Sequence, residues 1–172
     1  MKFYIVSVLL VVAVAGCSKP TDDQYFKRAV EAHKGDQFDE ALENYQSLVD
    51  TYPNSPLVPE ALYAEGSIYQ TNKRDMPKAI EYYKKVAVQF PDHATASSSL
   101  FLVGYLYNNE LKNVDSARAA YEAFIRRYPT SPMISSAQFE LHNLGKEPAE
   151  LLKEATPLSE KSEPKVSGKR AK

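Results

Sequence analysis

The chain of 172 residues has one cysteine and no tryptophan. A single cysteine excludes an intramolecular disulfide and the Cys–His clusters that hold structural zinc, so the fold must rest on packing. Charge of one sign is also missing. Lys and Arg number 21 against 22 Asp and Glu, for a net charge of −1, which leaves no global basic field to attract nucleic acid. There are only six glycines, and no Gly-rich phosphate loop, strained Ser elbow or His-Glu-x-x-His helix can be found. His33, His93 and His142 stand at unrelated points of the sequence pattern, with no Cys or carboxylate pair at metal-ligand spacing. The expectation is therefore no enzyme activity, no cofactor and no metal. No apolar run reaches the ~20 residues that a membrane-spanning helix requires.

What is present is the composition of an ordinary globular protein, 44% hydrophobic and 25% charged, sufficient for one packed domain. Twelve tyrosines and seven phenylalanines supply aromatic bulk, much of it with a hydroxyl suited to a half-wet boundary. That suits thin helical layers.

The first residues form a distinct segment. Lys2 is followed by apolar or small residues from 3 to 16, interrupted only by Ser7, and the stretch ends Val14-Ala15-Gly16-Cys17 before the polar Ser18-Lys19-Pro20. This is the layout of a signal peptide over residues 1–16. Its end resembles the lipobox of bacterial lipoproteins. The resemblance implies that Cys17 receives a diacylglyceryl group, carries palmitate-type acyl chains and becomes the mature N-terminus, with residues 17–21 as a lipidated linker. Several acyl chains on one residue give stable anchoring where one alone is marginal. Ser18, rather than Asp, after the cysteine implies sorting to the outer membrane, with the chain facing the periplasm.

Beyond the leader the sequence repeats itself. Ala41, Ala79 and Ala117 are separated by steps of 38, and so are Tyr25/Tyr63/Phe101/Phe139, Tyr45/Tyr83/Tyr121, Leu48/Val86/Phe124, Tyr52/Phe90/Tyr128 and Pro53/Pro91/Pro129. Gly66 and Gly104 add a column that the first unit lacks, having Arg28 and Ala29 there. Each unit reads as two helices. In the second, Ala41, Leu42, Tyr45, Leu48 and Val49 recur at three- and four-residue spacing, one stripe of a 3.6-residue turn. An aromatic-Pro pair then ends it, because proline lacks the donor and disfavours helix in the residue before it. Ser55-Pro56 and Ser131-Pro132 offer an N-cap hydroxyl and a preset first turn for the next helix. The pattern predicts helices at about 22–34, 37–51, 57–72, 76–89, 94–111, 114–127 and 133–144. Small residues at 41, 79 and 117 are expected where paired helices cross, and Gly66 and Gly104 where a neighbouring backbone comes close.

Gly66 with Tyr69, Gly104 with Tyr107, and the series Ala79-Tyr83-Pro91 and Ala117-Tyr121-Pro129 resemble the tetratricopeptide repeat, whose usual period is ~34. The resemblance implies an all-α fold, a right-handed α-solenoid of about three and a half helix pairs over residues 22–155. The longer period implies longer helices or turns. Tyr52-Pro53-Asn54-Ser55-Pro56 and Tyr128-Pro129-Thr130-Ser131-Pro132 are further similar to the BamD family of β-barrel-assembly lipoproteins and to the periplasmic Tol–Pal accessory proteins. These resemblances imply a scaffold for proteins of the cell envelope, serving outer-membrane protein assembly or, alternatively, division and peptidoglycan maintenance. A glycan-acting enzyme would need acidic residues converging in a cleft, and Glu60 is the one acid expected in the groove.

In the repeat family, first helices line the concave face. The corresponding groove positions are Glu60, Tyr63, Ser67, Gln70 and Thr71, then Ser98, Phe101, Tyr105, Asn108 and Asn109. Amides and tyrosines can grip a peptide backbone whatever its sequence. Two alternatives stand beside this. Asn108 and Asn109 suit a helix end equally well, and the aromatic column of Tyr63 and Phe101 becomes inter-repeat packing if the register moves by one residue. After Leu144 the pattern decays; residues 147–155 are expected to add a short capping helix. From Thr156, Pro, Ser, Lys and Glu dominate, and residues 156–172 are expected to be a disordered tail with a net positive charge.

Overall fold

A computed structural model describes residues 19–146 of the chain. The predicted signal peptide, Cys17, the capping helix at 147–155 and the tail at 156–172 therefore lie outside the described residues. Within them are seven α-helices and no strand: α1 Asp22–Lys34, α2 Phe38–Thr51, α3 Val58–Ile68, α4 Met76–Gln89, α5 Ala96–Tyr105, α6 Val114–Arg127 and α7 Ile134–His142. Each packs against the one before and the one after. The result is a quasi-one-dimensional α-solenoid of three helix pairs and a final single helix.

Helices α1, α4 and α6 have the predicted bounds. The ends of α3 and α5 do not. Where continuous helix is expected to 72 and 111, the last turn widens into π-helix over Tyr69–Lys73 and Leu106–Glu110. The chain then turns back through a residue in the left-handed region, Arg74 at φ 56° and Lys112 at φ 52°, and Asp36 at φ 58° does the same after α1. These three positions repeat at the 38-residue step. The lengthened period thus includes a wide turn closing the first helix of units two and three, with Asp75 N–H bonded to the Tyr69 carbonyl and Asn113 N–H to that of Tyr107. The first unit ends α1 at Gly35, whose N–H reaches the Glu31 and Ala32 carbonyls, with no π turn.

Caps are placed differently from expectation. Ser55 and Ser131 do not cap α3 and α7, which begin three residues later. Their hydroxyls accept from the backbone of Leu57 at 3.2 Å and Met133 at 3.3 Å, ordering the turn ahead of each helix. The side-chain caps belong to Thr21, Asp75 and Asn113. Thr21 forms a reciprocal capping box with Gln24, satisfying two orphan groups at once.

The core is repetitive. Ala41, Ala79 and Ala117 are completely buried, so paired helices touch through methyl groups. The glycine column works differently from expectation: it admits a ring, not a backbone. A Cβ on Gly66 would lie 2.8 Å from the Tyr83 ring, and one on Gly104 would lie 2.7 Å from that of Tyr121. Both tyrosines are fully buried. In the first unit Arg28 occupies that column at the surface, and Tyr45 meets Phe26 edge-on at 5.8 Å instead.

The chain's entry is fastened down. Tyr52 donates its hydroxyl to the Pro20 carbonyl at 2.9 Å, and Ser55 donates to the Asp22 carboxylate at 2.6 Å. The Ser55 hydrogen bond, joined by the Asp23 backbone, holds the Asp22 carboxyl below its usual range. Residues 20–22, the start of the solenoid, are thereby held against the turn between α2 and α3.

Candidate functional site

Helices α3 and α5, the first helices of the second and third units, together with the π turns that end them, carry all the groove positions expected from the sequence. Tyr63 is half-buried, its ring 5.4 Å from that of Tyr83. Phe101 is half-buried between Tyr121, at 5.6 Å, and Phe124, at 5.9 Å. Tyr25 similarly lies 6.5 Å from Tyr52. In all three the ring packs against the second helix of its own unit, and the column serves the helix seam. Its last member, Phe139, is 61% exposed, because no second helix among the described residues follows α7.

The polar positions divide in the same way. Gln70 turns inward, its Oε1 accepting the Tyr83 hydroxyl at 2.9 Å. Burial pushes the Tyr83 phenol up, aided by the nearby Tyr63 and opposed by Ser67. Thr71 is exposed, its hydroxyl 2.8 Å from the Ser67 carbonyl and 2.6 Å from the Asn72 side-chain oxygen. Tyr105 is 37% exposed. Asn109 donates to the Tyr105 carbonyl at 3.2 Å. Asn108 is half-buried, and both asparagines sit in the π turn that ends α5. Glu60 is exposed in the first turn of α3, and the Ser98 hydroxyl faces the Met133 sulfur at 3.9 Å. Thr71 and Tyr105 are therefore exposed, and Asn108 partly accessible, near the ends of α3 and α5, while Tyr63, Gln70 and Phe101 are engaged in the fold.

Such a surface offers neutral donors and acceptors beside an aromatic edge, a set suited to a peptide main chain. Among the described residues, no three His, Cys, Asp or Glu side chains come together as a metal site. No helix among them is long and apolar enough to cross a membrane.

One residue of chemical interest escaped the sequence reading. Glu65 on α3 is 1% exposed, and its Oε2 has no hydrogen-bond partner. Burial raises its carboxyl to about 8, against smaller opposing effects from the Tyr82 hydroxyl and Lys85. The signal was in its column, Lys27/Glu65/Val103/Leu141, where an acid takes the place of a core valine. Near it, Tyr45 is pushed up to about 12 by burial and by the Glu65 charge.

Profiles of the family described as tetratricopeptide repeat match residues 26–94 and 98–131. The chain carries tetratricopeptide repeats. The first match spans α1 to α4 almost whole, so the unit with Arg28 in the glycine column belongs to the array. Among solved structures, 28 chains match. One is the TPR2AB domain of yeast Sti1 in complex with pHSP90, with TM-score 0.55 and 20% identity over 78% of this chain and 48% of that one. At this identity the likeness speaks for the fold alone, and the chain spans about half the length of that repeat protein. No curated protein sequence gives a significant match.

Proposed function

We propose that the chain is a lipoprotein of the cell envelope, held by lipid on Cys17 at the periplasmic side of the outer membrane, whose repeats are a binding scaffold in outer-membrane protein assembly. The observation that carries the scaffold role is the accessible surface of Thr71, Tyr105 and Asn108 along the first helices of a tetratricopeptide stack. Repeats of this family bind proteins, as the pHSP90 complex of Sti1 illustrates. The anchoring part rests on the lipobox-like Val14-Ala15-Gly16-Cys17. The fastened entry fits it. Three residues of chain reach at most ~11 Å, so a lipid on Cys17 would keep the turn between α2 and α3, where Pro20 is held, close to the bilayer surface.

The test is crosslinking and capture from native envelopes with the full chain, beside a Cys17→Ser form secreted through a cleavable signal. Incorporation of an alkyne-tagged fatty acid into the native form alone is the outcome expected for the anchor. Recovery of β-barrel assembly components supports the assembly role. Recovery of division or peptidoglycan proteins alone would replace it with the Tol–Pal-like role, and an unlabelled Cys17 would remove the anchor.

A further inference from the structure

The opposite side of α5 has a surface of its own. At 3.6 residues per turn, Leu100 and Val103 point away from Tyr105, and Tyr107 in the π turn joins them. They floor a groove whose walls are α4 and α6. Two cavities of about 260 and 320 Å³ lie along it, with Lys84 and Leu100 lining both. The middle of the α6 wall presents only methyl groups, since Ala119 and Ala123 stand one turn apart, and the α4 wall carries Ala87 and Val88, the latter 68% exposed. A wall of methyl groups admits a partner backbone closely.

Three cations stand over this apolar trough and no acid lines it: Lys84, Arg126 and Arg127. The ion pairs among the described residues are Lys73–Asp39 and Lys85–Glu81, so none of the three is neutralised by a carboxylate there. Two of them are already oriented. Lys84 donates to the Tyr107 hydroxyl at 2.9 Å, and Arg127 donates Nη1 to the Ala87 carbonyl at 2.7 Å, across from α6 to α4. Each keeps further N–H groups for a ligand. Guanidinium forks match carboxylates in geometry as well as charge, and groups held in place beforehand lose less freedom on binding.

We propose that the groove between α4 and α6 binds an acidic amphipathic helix of a partner protein. The apolar edge of that helix lies on Leu100, Val88 and the alanines, and its carboxylates meet Lys84, Arg126 and Arg127. From Ser116 to Arg127 the α6 wall runs ~16 Å, room for about three turns. This site is independent of the Thr71–Asn108 surface, so a protein bound there leaves the groove open for a second.

The test uses the full-length chain in detergent and a fluorescent helical peptide with leucines on one face and glutamates on the other. Saturable binding that weakens with salt is expected, reduced about tenfold by Arg126→Glu or Lys84→Glu and abolished by Ala123→Phe, which fills the trough. Thr71→Ala with Asn108→Ala leaves binding unchanged. Unaltered circular dichroism and melting of the Ala123→Phe variant make its loss of binding a groove effect. Absence of saturable binding, equal binding of a lysine-faced peptide, or binding insensitive to Ala123→Phe would overturn the proposal. Binding that appears only after residues 147–172 are removed would also overturn it, since the groove would then belong to the chain's own acidic 147–155.

Discussion

Gln70 accepts the buried hydroxyl of Tyr83 at 2.9 Å, whereas one repeat later the residue in its place, Asn108, leaves the equally buried hydroxyl of Tyr121 without a partner. The two pairs share the same columns and differ by one methylene. A buried polar group left unpaired costs about 1–3 kcal/mol, more than the net worth of the bond itself. Tyr83→Phe should therefore lose about 1 kcal/mol, and Tyr121→Phe should be neutral or stabilising. Asn108→Gln should gain about 1 kcal/mol by reaching the orphan hydroxyl. Urea unfolding midpoints of the three variants decide this, and a loss at Tyr121→Phe equal to that at Tyr83→Phe would refute it.

The glycine column predicts that converse substitutions in different repeats both lose stability. Gly104→Ala would place its Cβ within 2.9 Å of three ring atoms of Tyr121, and overpacking of this kind costs ~1–3 kcal/mol. Alanine's better helix propensity returns ~1 kcal/mol, so a net loss of up to about 2 kcal/mol is expected. Arg28→Gly makes the converse exchange at an exposed site and should also lose ~1 kcal/mol through propensity alone. A Gly104→Ala variant that melts higher than the parent would mean that the tyrosine ring yields.

Glu65 predicts a stability that declines with pH. Its folded-state value of about 8 lies above the 4.5 of a free glutamate side chain, so the folded state holds the proton more tightly. The stability it contributes is complete below about pH 4.5, is lost as pH rises toward 8, and is constant beyond. At ~1.4 kcal/mol per pKa unit, Glu65→Gln should be more stable than the parent by about 2–4 kcal/mol at pH 8.5 and nearly equal to it at pH 4. Parallel difference curves across that range would show that Glu65 is ionised in the fold at little cost.

The left-handed residues predict a gain from glycine. Lys112 holds φ 52° and Arg74 φ 56°, a conformation that costs side-chain-bearing residues about 1 kcal/mol. Lys112→Gly should raise stability by up to ~1 kcal/mol, reduced by the added freedom of the unfolded chain. Lys112→Val should destabilise clearly. Thermal melts of the two variants should move in opposite directions.

The turn residues also show where reading the sequence stops. Asp36, Arg74 and Lys112 share one backbone state, but none is the glycine or asparagine that usually marks it, so no column betrayed them. The π turns were hidden for the same reason: Tyr69-Gln70-Thr71-Asn72-Lys73 and Leu106-Tyr107-Asn108-Asn109-Glu110 read as ordinary ends of helix. Closure of a wide turn depends on where the next helix must pack.

By itself the sequence determined the helix count among the described residues, most helix boundaries and the repeat architecture. Those follow from local rules repeated at a 38-residue step: an apolar stripe that must be buried, a proline that must end a helix, a methyl group where two helices cross. The tertiary structure decided what each conserved-looking position does. It turned Tyr63, Phe101 and Gln70 into the seam, left Thr71, Tyr105 and Asn108 at the surface, buried Glu65 and opened a cationic groove between α4 and α6. Residues in one helix share a face within a turn of each other, but whether that face meets a ring, a carbonyl or water depends on neighbours about 15–40 residues away. Periodicity is local, and burial belongs to the stack.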